Sequence, residues 1–254
     1  MLTMIKYFII ILLFLYVWAF FVEPNIIVVK KYKRDCFNGK KVVFISDLHI
    51  AKGDMHRLKR IVKKINAQNP DLVLSCGDYI KGHNGKTTMS AEKIAKELGK
   101  IKAPVVSVLG NHDGWYDKYK VKTALEKNGI KVLMNSNTKV EGIYIAGVED
   151  LQTGIPRPET ALDGSESPRI LLTHTPDIYY DVKENVDLIL AGHVHGGQVR
   201  IPFKGALIVP SKFGTKFASG SFKETQNEMI VSKGLGTSIL NVRFLTFPEI
   251  IVFE

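Results

Sequence analysis

The chain carries LILAGHVHGGQ at residues 188–198, and its architecture is best read from this stretch. The stretch opens on a short apolar run, residues 188–190, that is bounded by glycine, a pattern typical of a buried strand. Glycines around the histidines leave the backbone free to turn sharply where the strand ends. His193 and His195 therefore come at a strand end, where two imidazoles can converge. An isolated His-x-His is as often structural as functional, so its meaning depends on the other strand ends.

Four apolar runs upstream also lead directly into Asp, Asn or His. VVFI at 42–45 is followed by SDLH, LVL at 72–74 by SCGD, VVSVL at 105–109 by GNHD, and ILL at 170–172 by THTP. In open α/β sheets, ligand-binding residues lie in loops beyond the carboxyl ends of the strands. Of the seven histidines, five occupy these strand ends: His49, His112, His174, His193 and His195. This distribution predicts one shared site.

Composition and charge narrow the class of protein. With 254 residues, 45% hydrophobic and 24% charged, the chain suits one large α/β domain. The net charge of +10 favours anionic partners, including acidic lipid head groups and phosphate-bearing substrates. The lysines are dispersed and form no nucleic-acid-binding motif, so we expect no nucleic-acid partner. Cys36 and Cys76 have no metal-binding spacing and are expected to be free thiols, which favours a reducing compartment.

The N-terminus is predicted to be a membrane anchor, residues 1–24, ahead of one catalytic domain, residues 25–254. Residues 7–22 form a run of 16 without a charge. A helix of that length spans about 24 Å, and the preceding residues, with Lys6 snorkelling, close the gap to a bilayer core of roughly 30 Å. A cleaved signal peptide is the main alternative, but no small-x-small cleavage site follows. A buried core helix is the third interpretation of this segment.

The orientation of the domain is predicted from the charges around this segment. Four positive charges follow the segment, on Lys30, Lys31, Lys33 and Arg34, whereas only Lys6 and the amino terminus are positively charged before it. The positive-inside rule then leaves the domain in the cytoplasm, at the cell membrane. Residues 26–29 also resemble the first strand of the fold, which is a second explanation for these charges.

Periodicity predicts helices and strands in an order that suggests two sheets stacked face to face with helices outside. We expect a strand at 26–32, helices at 54–68, 90–98 and 117–128, a meander of short strands at 131–134, 139–141 and 143–147, a long loop and candidate lid at 149–167, and further strands up to 253.

The polar residues at the strand ends predict a metal site. The set comprises Asp47, His49, Asp78, Asn111, His174, His193 and His195. Carboxylate, amide and imidazole ligands without a thiolate suit Mn²⁺, Fe, Zn²⁺ or Co²⁺. Seven ligands are too many for one catalytic ion with an open position, but they suit two ions about 3.5–4 Å apart, bridged by a carboxylate. Any single Asp or Asn among them is also explained as a helix cap.

These residues carry a family resemblance. The blocks Asp47-Leu-His49, Gly77-Asp78, Gly110-Asn-His-Asp113, Thr173-His174 and Gly192-His-Val-His195 occur in the order found in the calcineurin-like metallophosphoesterase superfamily, which the chain resembles. Residues 196–222 are similar to a membrane-associated subgroup that includes UDP-2,3-diacylglucosamine pyrophosphatases and bacterial membrane phosphodiesterases. The resemblance implies a four-layer α/β/β/α sandwich of two mixed sheets. We take Mn²⁺ as the first candidate for both divalent ions.

The resemblance also implies a role for each residue. Asp47, His49 and His195 would hold the first ion, Asn111, His174 and His193 the second, and Asp78 would bridge them. His112 would be the general acid toward the leaving oxygen, or would stabilise the phosphoryl charge. Many relatives carry an Asp three residues after the bridging Asp to orient that histidine, whereas this chain has Lys81. Either Asp113 or another acid therefore orients His112, or Lys81 contacts a substrate phosphate.

Substrate contacts are expected outside the metal ligands. Trp115 and Tyr116 follow the Asn-His-Asp block and either contact an apolar or planar part of the substrate or pack at the rim. Residues 200–223 interleave cations, Arg200 among them, with phenylalanines. That pattern fits a hairpin with a solvated basic face, or an edge that faces phosphates and the membrane.

Together these features predict a membrane-anchored, dinuclear-metal phosphohydrolase that acts on a lipid-linked phosphoester or pyrophosphate. By resemblance, the leading substrate is UDP-2,3-diacylglucosamine, cleaved to UMP and a lipid phosphate in lipid A biosynthesis. A phosphodiesterase of cell-envelope polymers or small nucleotides is the alternative. A non-catalytic, metal-stabilised scaffold is the third possibility, and it would predict the loss of a ligand or of His112. The sequence carries no signal for the oligomeric state.

Overall fold

The computed structural model describes residues 1–82 and 86–254. The helices are α1 (Leu2–Val17), α2 (Met55–Asn66), α3 (Ala91–Leu98), α4 (Asn111–Glu126) and α5 (Pro158–Leu162). The strands are β1 (Val28–Tyr32), β2 (Val42–Ile45), β3 (Leu72–Ser75), β4 (Val105–Ser107), β5 (Ile130–Val132), β6 (Ser136–Val140), β7 (Ile143–Gly147), β8 (Arg169–Leu172), β9 (Leu188–Ala191), β10 (Arg200–Ile201), β11 (Gly205–Ala206), β12 (Gly220–Phe222), β13 (Met229–Val231) and β14 (Glu249–Phe253).

Two six-stranded mixed sheets form the frame. The first has the order β1-β14-β2-β3-β4-β5, in which β2 to β5 are parallel and β14 runs antiparallel to β2. The second has the order β12-β13-β9-β8-β7-β6, in which β13, β9, β8 and β7 are parallel and the two edge strands are antiparallel. A short hairpin of β10 and β11 stands apart. The predicted α/β fold with two mixed sheets is confirmed.

Successive side chains of each strand point to opposite faces of the sheet, and this divides the hydrophobic core into layers. Val42 and Phe44 of β2 pack between the sheets, together with Leu172 and Leu190. Their neighbours on β2 turn to the other face, where they pack under α2, α3 and α4. Because successive side chains of a strand point to opposite faces, an entirely apolar strand such as β2 is what a sheet covered on both faces requires.

The outer face of the second sheet is covered more thinly than the resemblance implies. Its cluster contains Ala161 and Leu162 from the five-residue helix α5, and the buried rings of Tyr179 and Phe217, whose centroids lie 5.5 Å apart. Turns and loops form the rest of this layer. The fourth layer of the sandwich therefore holds one short helix among the described residues.

Several predicted elements differ from those observed. The predicted meander is wrong, because β5 is the edge strand of the first sheet, whereas β6 and β7 are a hairpin in the second. Helix α4 begins at Asn111 rather than 117, with an extended backbone at Asp117 that interrupts it. Helix α5 lies within the predicted loop at 149–167. Helices α2 and α3 lie where they were predicted.

The N-terminal helix extends away from the domain. Residues Thr3–Asn25 form one apolar helical segment of 23 residues with a mean hydropathy of 2.4, and 6% of its most apolar window is buried. The segment is long and apolar enough to cross a membrane, a property that signal sequences near an N-terminus share. It is thus a candidate anchor.

The last turns of this helix pack on the domain. Glu23 is fully buried, and its carboxylate accepts hydrogen bonds from Trp18 Nε1, at 2.7 Å, and from the backbone N–H of Thr246. The carbonyl oxygen of Ala19 accepts a hydrogen bond from the Arg243 N–H at 3.0 Å. The base of the candidate anchor is therefore held against residues 243–246.

Candidate metal centre

The topology explains why distant residues meet. Strands β2, β3 and β4 are parallel neighbours in one sheet, and β8 and β9 are parallel neighbours in the other. Their carboxyl ends point to one edge of the sandwich, where ligand-binding loops lie in open α/β sheets. The seven predicted ligands all follow these strands, and all seven are buried at this edge.

Asp78 occupies the middle of the cluster. Its Oδ2 atom lies 3.4 Å from His49 Nε2 and 3.4 Å from His174 Nε2. Its other oxygen accepts the His112 backbone N–H at 2.8 Å. One carboxylate oxygen thus faces donor atoms from both halves of the cluster, as a bridging ligand must.

The remaining ligands form two groups on either side of Asp78. In the first, His49 Nε2 lies 3.0 Å from His195 Nε2, and His195 Nε2 lies 3.6 Å from Asp47 Oδ1. Donor atoms of these three residues all lie within 4.8 Å of one another. In the second group, Asn111 Oδ1 lies 2.9 Å from His174 Nε2 and 3.1 Å from His193 Nδ1. The resemblance implies the same two groups, and the assignment of each ligand to an ion stays a prediction.

Backbone carbonyls fix the tautomers of three of the histidines. His49 Nδ1 lies 3.1 Å from Ile80 O, His174 Nδ1 lies 2.7 Å from Cys76 O, and His193 Nε2 lies 3.0 Å from Pro210 O. A carbonyl oxygen only accepts, so each of these ring nitrogens carries the proton. When the ring is neutral, its other nitrogen presents its lone pair to the cluster, the arrangement typical of metal-ligating histidines. The donor set fits divalent cations.

Burial keeps several of these groups in the form that binds a cation. It lowers the pKa of His49 to about 3 and that of His193 to about 4, so both imidazoles are neutral at pH 7. Burial opposes the charge of Asp78, but the surrounding imidazoles, His174 first, lower the pKa of Asp78 below its usual range, and Asp78 in turn raises the pKa of His174 well above its ordinary value. A cation at the centre would therefore have to displace a proton from His174. Burial raises the pKa of Asp47 to about 6. At pH 7 both carboxyls are therefore mainly ionised.

The backbone is strained where it presents the ligands. Five of the predicted ligands have a φ angle between 42° and 72°, namely Asp47, His49, Asp78, His193 and His195. Such conformations cost of order 1–3 kcal/mol each for residues other than glycine, and they cluster at functional sites. Glycine is required nearby, since a Cβ on Gly110 would overlap the Asp78 carboxylate and one on Gly192 would overlap Ser46 and Asp47.

His112 is the second residue of α4, directly after the predicted ligand Asn111, and it lies beside the other ligands. Its ring packs edge-on against His49, at 4.6 Å between centroids, and against Trp115, at 5.0 Å. Its Nδ1 lies 3.1 Å from Gly82 O. A donor atom of His112 also lies within 4.8 Å of donor atoms of His49 and Asp78. The ring can therefore reach a group held at the centre, and its role as general acid stays a prediction.

Asp113 contacts the backbone of the loop that presents Asp78. Its carboxylate accepts backbone N–H hydrogen bonds from Asp78 at 2.8 Å, Tyr79 at 2.9 Å, Gly110 at 3.0 Å and Ile80 at 3.1 Å. Burial and the charge of Asp78 raise the pKa of Asp113 to about 7, although the N–H groups favour the carboxylate. Asp113 thus holds the loop that presents Asp78, and the proposed orientation of His112 by an acid stays a prediction.

The expected substrate residues divide into two sets. Trp115 and Lys81 line grooves that reach the centre. Tyr116 instead packs against the helical layer and lines a separate groove, with Lys120 Nζ 5.5 Å from its ring. Arg200 Nη1 donates to Gly196 O and to Ser219 Oγ, at 3.2 Å for the latter, and so supports the turn after His195. The contacts described for Tyr116 and Arg200 are to the protein itself, and their roles as substrate contacts stay predictions.

Sequence reasoning missed Arg243, although it is fully buried beside a ligand. Its guanidinium donates to the carbonyls of Gly236 and Thr246, at 3.0 and 2.9 Å, and Nη2 lies 3.5 Å from His195 Nδ1. It follows no strand and stands in a stretch without periodicity, so no pattern marks it. The carbonyls that surround it explain how one arginine can be buried there.

An apolar groove of about 620 Å³ opens onto the centre. His112, His193 and His195 line one end. The walls come from residues 207–210 on one side and 238–242 on the other. Two of the wall residues, Ile208 and Ile239, are 81% and 89% exposed. Sequence reasoning missed these walls, because single apolar residues in loops are ordinary.

A two-sheet α/β sandwich with buried carboxylates, an amide and imidazoles at one sheet edge defines a class of metal-dependent hydrolases. Comparison with known proteins narrows the class. A family model described as calcineurin-like phosphoesterase matches residues 40–197. The chain therefore belongs to the calcineurin-like phosphoesterase family and is a metal-dependent phosphoesterase that binds divalent metal.

Individual relatives agree with this assignment. The chain is 32% identical to the uncharacterized metallophosphoesterase YkuE of Bacillus subtilis (strain 168), over 94% of this chain and 88% of that protein. It is 27% identical to the phosphodiesterase YaeI of Escherichia coli (strain K12), over 84% and 81%. The crystal structure of TT1561 of Thermus thermophilus superposes with a TM-score of 0.51 at 15% identity, covering 77% of this chain and 90% of that one. That likeness shows the fold alone.

Proposed function

We propose that this phosphoesterase is anchored in the cell membrane and hydrolyses a phosphoester or diphosphate bond of a lipid-linked substrate. The observation that carries the proposal is the apolar groove that opens onto the metal centre. A phosphoesterase of water-soluble substrates has no need of an aliphatic groove beside its catalytic residues. An acyl chain fits such walls and gains the free energy of leaving water, about 0.8 kcal/mol for each buried CH₂.

The exposed rim of the groove supports a membrane setting. Leu207, Ile208, Ile239 and Leu240 are 45%, 81%, 89% and 61% exposed. Rimmed apolar patches of this kind mark lipid or partner surfaces on proteins. Loop 237–242 also borders the candidate anchor, since Thr237 and Asn241 line a groove together with Phe20 and Phe21. An anchor that spans the bilayer would therefore keep this rim near the lipid surface.

The residues of the chain divide the chemistry between them. Two divalent ions, with Mn²⁺ as the first candidate and Fe, Zn²⁺ or Co²⁺ as alternatives, would neutralise phosphoryl oxygens and acidify an attacking water when bound. Asp47, His49 and His195 would hold one ion, Asn111, His174 and His193 the other, and Asp78 both. His112 would give a proton to the leaving oxygen. Trp115, against the His112 ring, would close the apolar groove over the substrate.

The leading substrate is UDP-2,3-diacylglucosamine, which suits the groove because it carries two acyl chains beside a diphosphate. Its cleavage would yield UMP and a lipid phosphate, and it would require a cytoplasmic catalytic domain. The second candidate is a phosphodiester of the cell envelope or a nucleotide. The relative named phosphodiesterase YaeI favours that candidate.

Product analysis of the Mn²⁺-loaded full-length protein in detergent tests the proposal. The wild type is expected to convert UDP-2,3-diacylglucosamine to UMP and lipid phosphate, detected by mass spectrometry, and Asp78→Ala to form neither. No turnover of the lipid, together with metal-dependent cleavage of bis(p-nitrophenyl) phosphate, would discard the lipid substrate and favour the second candidate.

A further inference from the structure

Two grooves meet at the metal centre, one on each side of residues 237–242. The second, which we name the Lys81 groove, has a volume of about 450 Å³. It runs between this loop and the end of the N-terminal helix, and its lining includes Phe21, Asn25, His49, Arg57, Lys81 and Asn241. His49 connects it to the centre. A phosphorus atom held at the centre would thus have an apolar groove on one side and, on the other, a groove that contains Lys81 and Arg57.

The Lys81 groove has excess positive charge. Lys81 Nζ donates to Thr237 Oγ1 at 3.1 Å and to Asn241 Oδ1, and Arg57 donates to the carbonyls of Leu48 and Leu235. In the described part of the chain these hydrogen-bond partners are all neutral. Asp54 is the one carboxylate among the described lining residues, and its Oδ2 accepts the Ala51 N–H at 3.1 Å. Two cations therefore face one anion.

We propose that the Lys81 groove is a subsite for the second phosphate group of a diphosphate ester, with Lys81 as its cation. This inference rests on the proposed function and deepens it. Hydrolysis of a diphosphate joins the oxygen of water to one phosphorus and breaks its bond to the bridging oxygen. The leaving phosphate keeps that oxygen and gains negative charge. An ammonium group beside the leaving phosphate stabilises this charge, because hydrogen bonds between ionised partners are the strong ones.

The groove is built only with the N-terminal helix in place. Its outer wall consists of helix residues from Phe20 to Asn25. Glu23 fixes this wall to Thr246, and the Asn25 carbonyl accepts a hydrogen bond from Arg60 at 3.0 Å. The helix is thus part of the substrate site as well as a tether. The full chain is therefore the right material for a test.

Inhibition by two small anions tests the subsite without a lipid. The assay follows hydrolysis of bis(p-nitrophenyl) phosphate by the Mn²⁺-loaded full chain in detergent, and it compares the inhibition constants of methyl phosphate and methyl diphosphate. The wild type should bind methyl diphosphate at least tenfold more tightly. Lys81→Met should bring this ratio close to one, whereas Lys81→Arg should keep most of it. Lys59→Met, which removes the same charge from the exposed face of α2, should leave the ratio unchanged and controls for chelation of Mn²⁺.

The outcomes separate this inference from the proposed function. The subsite would be overturned, whatever the lipid assay shows, if the wild type bound methyl phosphate and methyl diphosphate equally well. It would also be overturned if Lys81→Met kept the wild-type preference for methyl diphosphate. If Lys81→Met lost the preference for methyl diphosphate, the subsite would be supported even if the lipid were not cleaved. The diphosphate substrate would then be a soluble one. If Lys81→Met does not bind Mn²⁺ like the wild type, Lys81→Gln is the second variant, with the same expected loss.

Discussion

His49 Nε2 and His195 Nε2 lie 3.0 Å apart in the buried centre. His49 donates from its other nitrogen to Ile80 O, so its lone pair points at His195. A divalent cation bound beside these two atoms would accept lone pairs from both rings, and the carboxylates of Asp47 and Asp78 would compensate its charge. The geometry of this pair thus predicts how the centre responds to substitution.

Removal of one imidazole should weaken metal binding. We expect His49→Ala to lower the affinity for Mn²⁺ at least tenfold, because one ligand of the first group and one contact to Asp78 are lost together. Isothermal titration calorimetry of the metal-free full chain measures this. His56→Ala, an exposed histidine on α2, is the matched control and should bind as the wild type does. Equal affinity in His49→Ala would remove His49 from the ligand set.

Replacement of His112 should separate catalysis from metal binding. A positioned general acid contributes typically 10²–10⁴-fold to the rate, so His112→Ala should lower kcat on bis(p-nitrophenyl) phosphate within that range. Its Mn²⁺ content should stay that of the wild type. Because His112 lies within reach of His49 and Asp78, a fall in metal content would instead identify it as a ligand.

The base of the N-terminal helix should contribute to stability. Glu23→Ala leaves the Trp18 indole N–H and the Thr246 N–H without their buried acceptor, and an unsatisfied buried group costs about 1–3 kcal/mol. The Tm of the full chain in detergent should fall by about 2–4 °C for each kcal/mol, as measured by circular dichroism. Glu166→Ala, in an exposed loop, should not lower it. A Tm equal to that of the wild type would mean that the helix does not dock as described.

The two cysteines should resist alkylation in the folded protein. Burial, with help from Asp187, raises the pKa of Cys36 to about 11, and burial raises that of Cys76 well above its ordinary value. The thiolate is the reactive form, so both thiols are protonated and slow at pH 8. The rate for Cys36 should rise about tenfold per pH unit up to pH 11, whereas a small-molecule thiol levels off near pH 8.5. Iodoacetamide labelling with mass spectrometry measures this, and rapid labelling of Cys36 at pH 8 would contradict it.

Much of the fold could be predicted because short apolar runs recur along the chain and each is followed directly by polar residues. Each apolar run had to be a strand covered on both faces, and the polar residue after it had to lie at the shared edge. The meander was mispredicted because three short strands in succession look alike whether they share a sheet or not. Residues between β5 and β6 carry the chain from one sheet to the other, and no local pattern marks such a crossing.

The environment of the ligands was harder to predict than the ligands themselves. Asp113 stands beside a candidate acid in the sequence, yet four backbone N–H groups engage its carboxylate. Tyr116 follows Trp115 on a helix, so the two rings point in different directions, one to the apolar groove and one to the helical layer. Arg243 and Glu23 act through tertiary contacts with segments distant in the sequence.

Metal stoichiometry is the decisive measurement for the dinuclear centre. The full chain is purified in detergent, reconstituted with Mn²⁺, freed of excess metal and analysed by inductively coupled plasma mass spectrometry. We predict two Mn²⁺ per wild-type chain and at most one in Asp78→Ala. The variant lacks the carboxylate oxygen of Asp78, which in the wild type lies 3.4 Å from a ligand of each group. A single ion in the wild type, or two ions retained in Asp78→Ala, would contradict a centre bridged by Asp78.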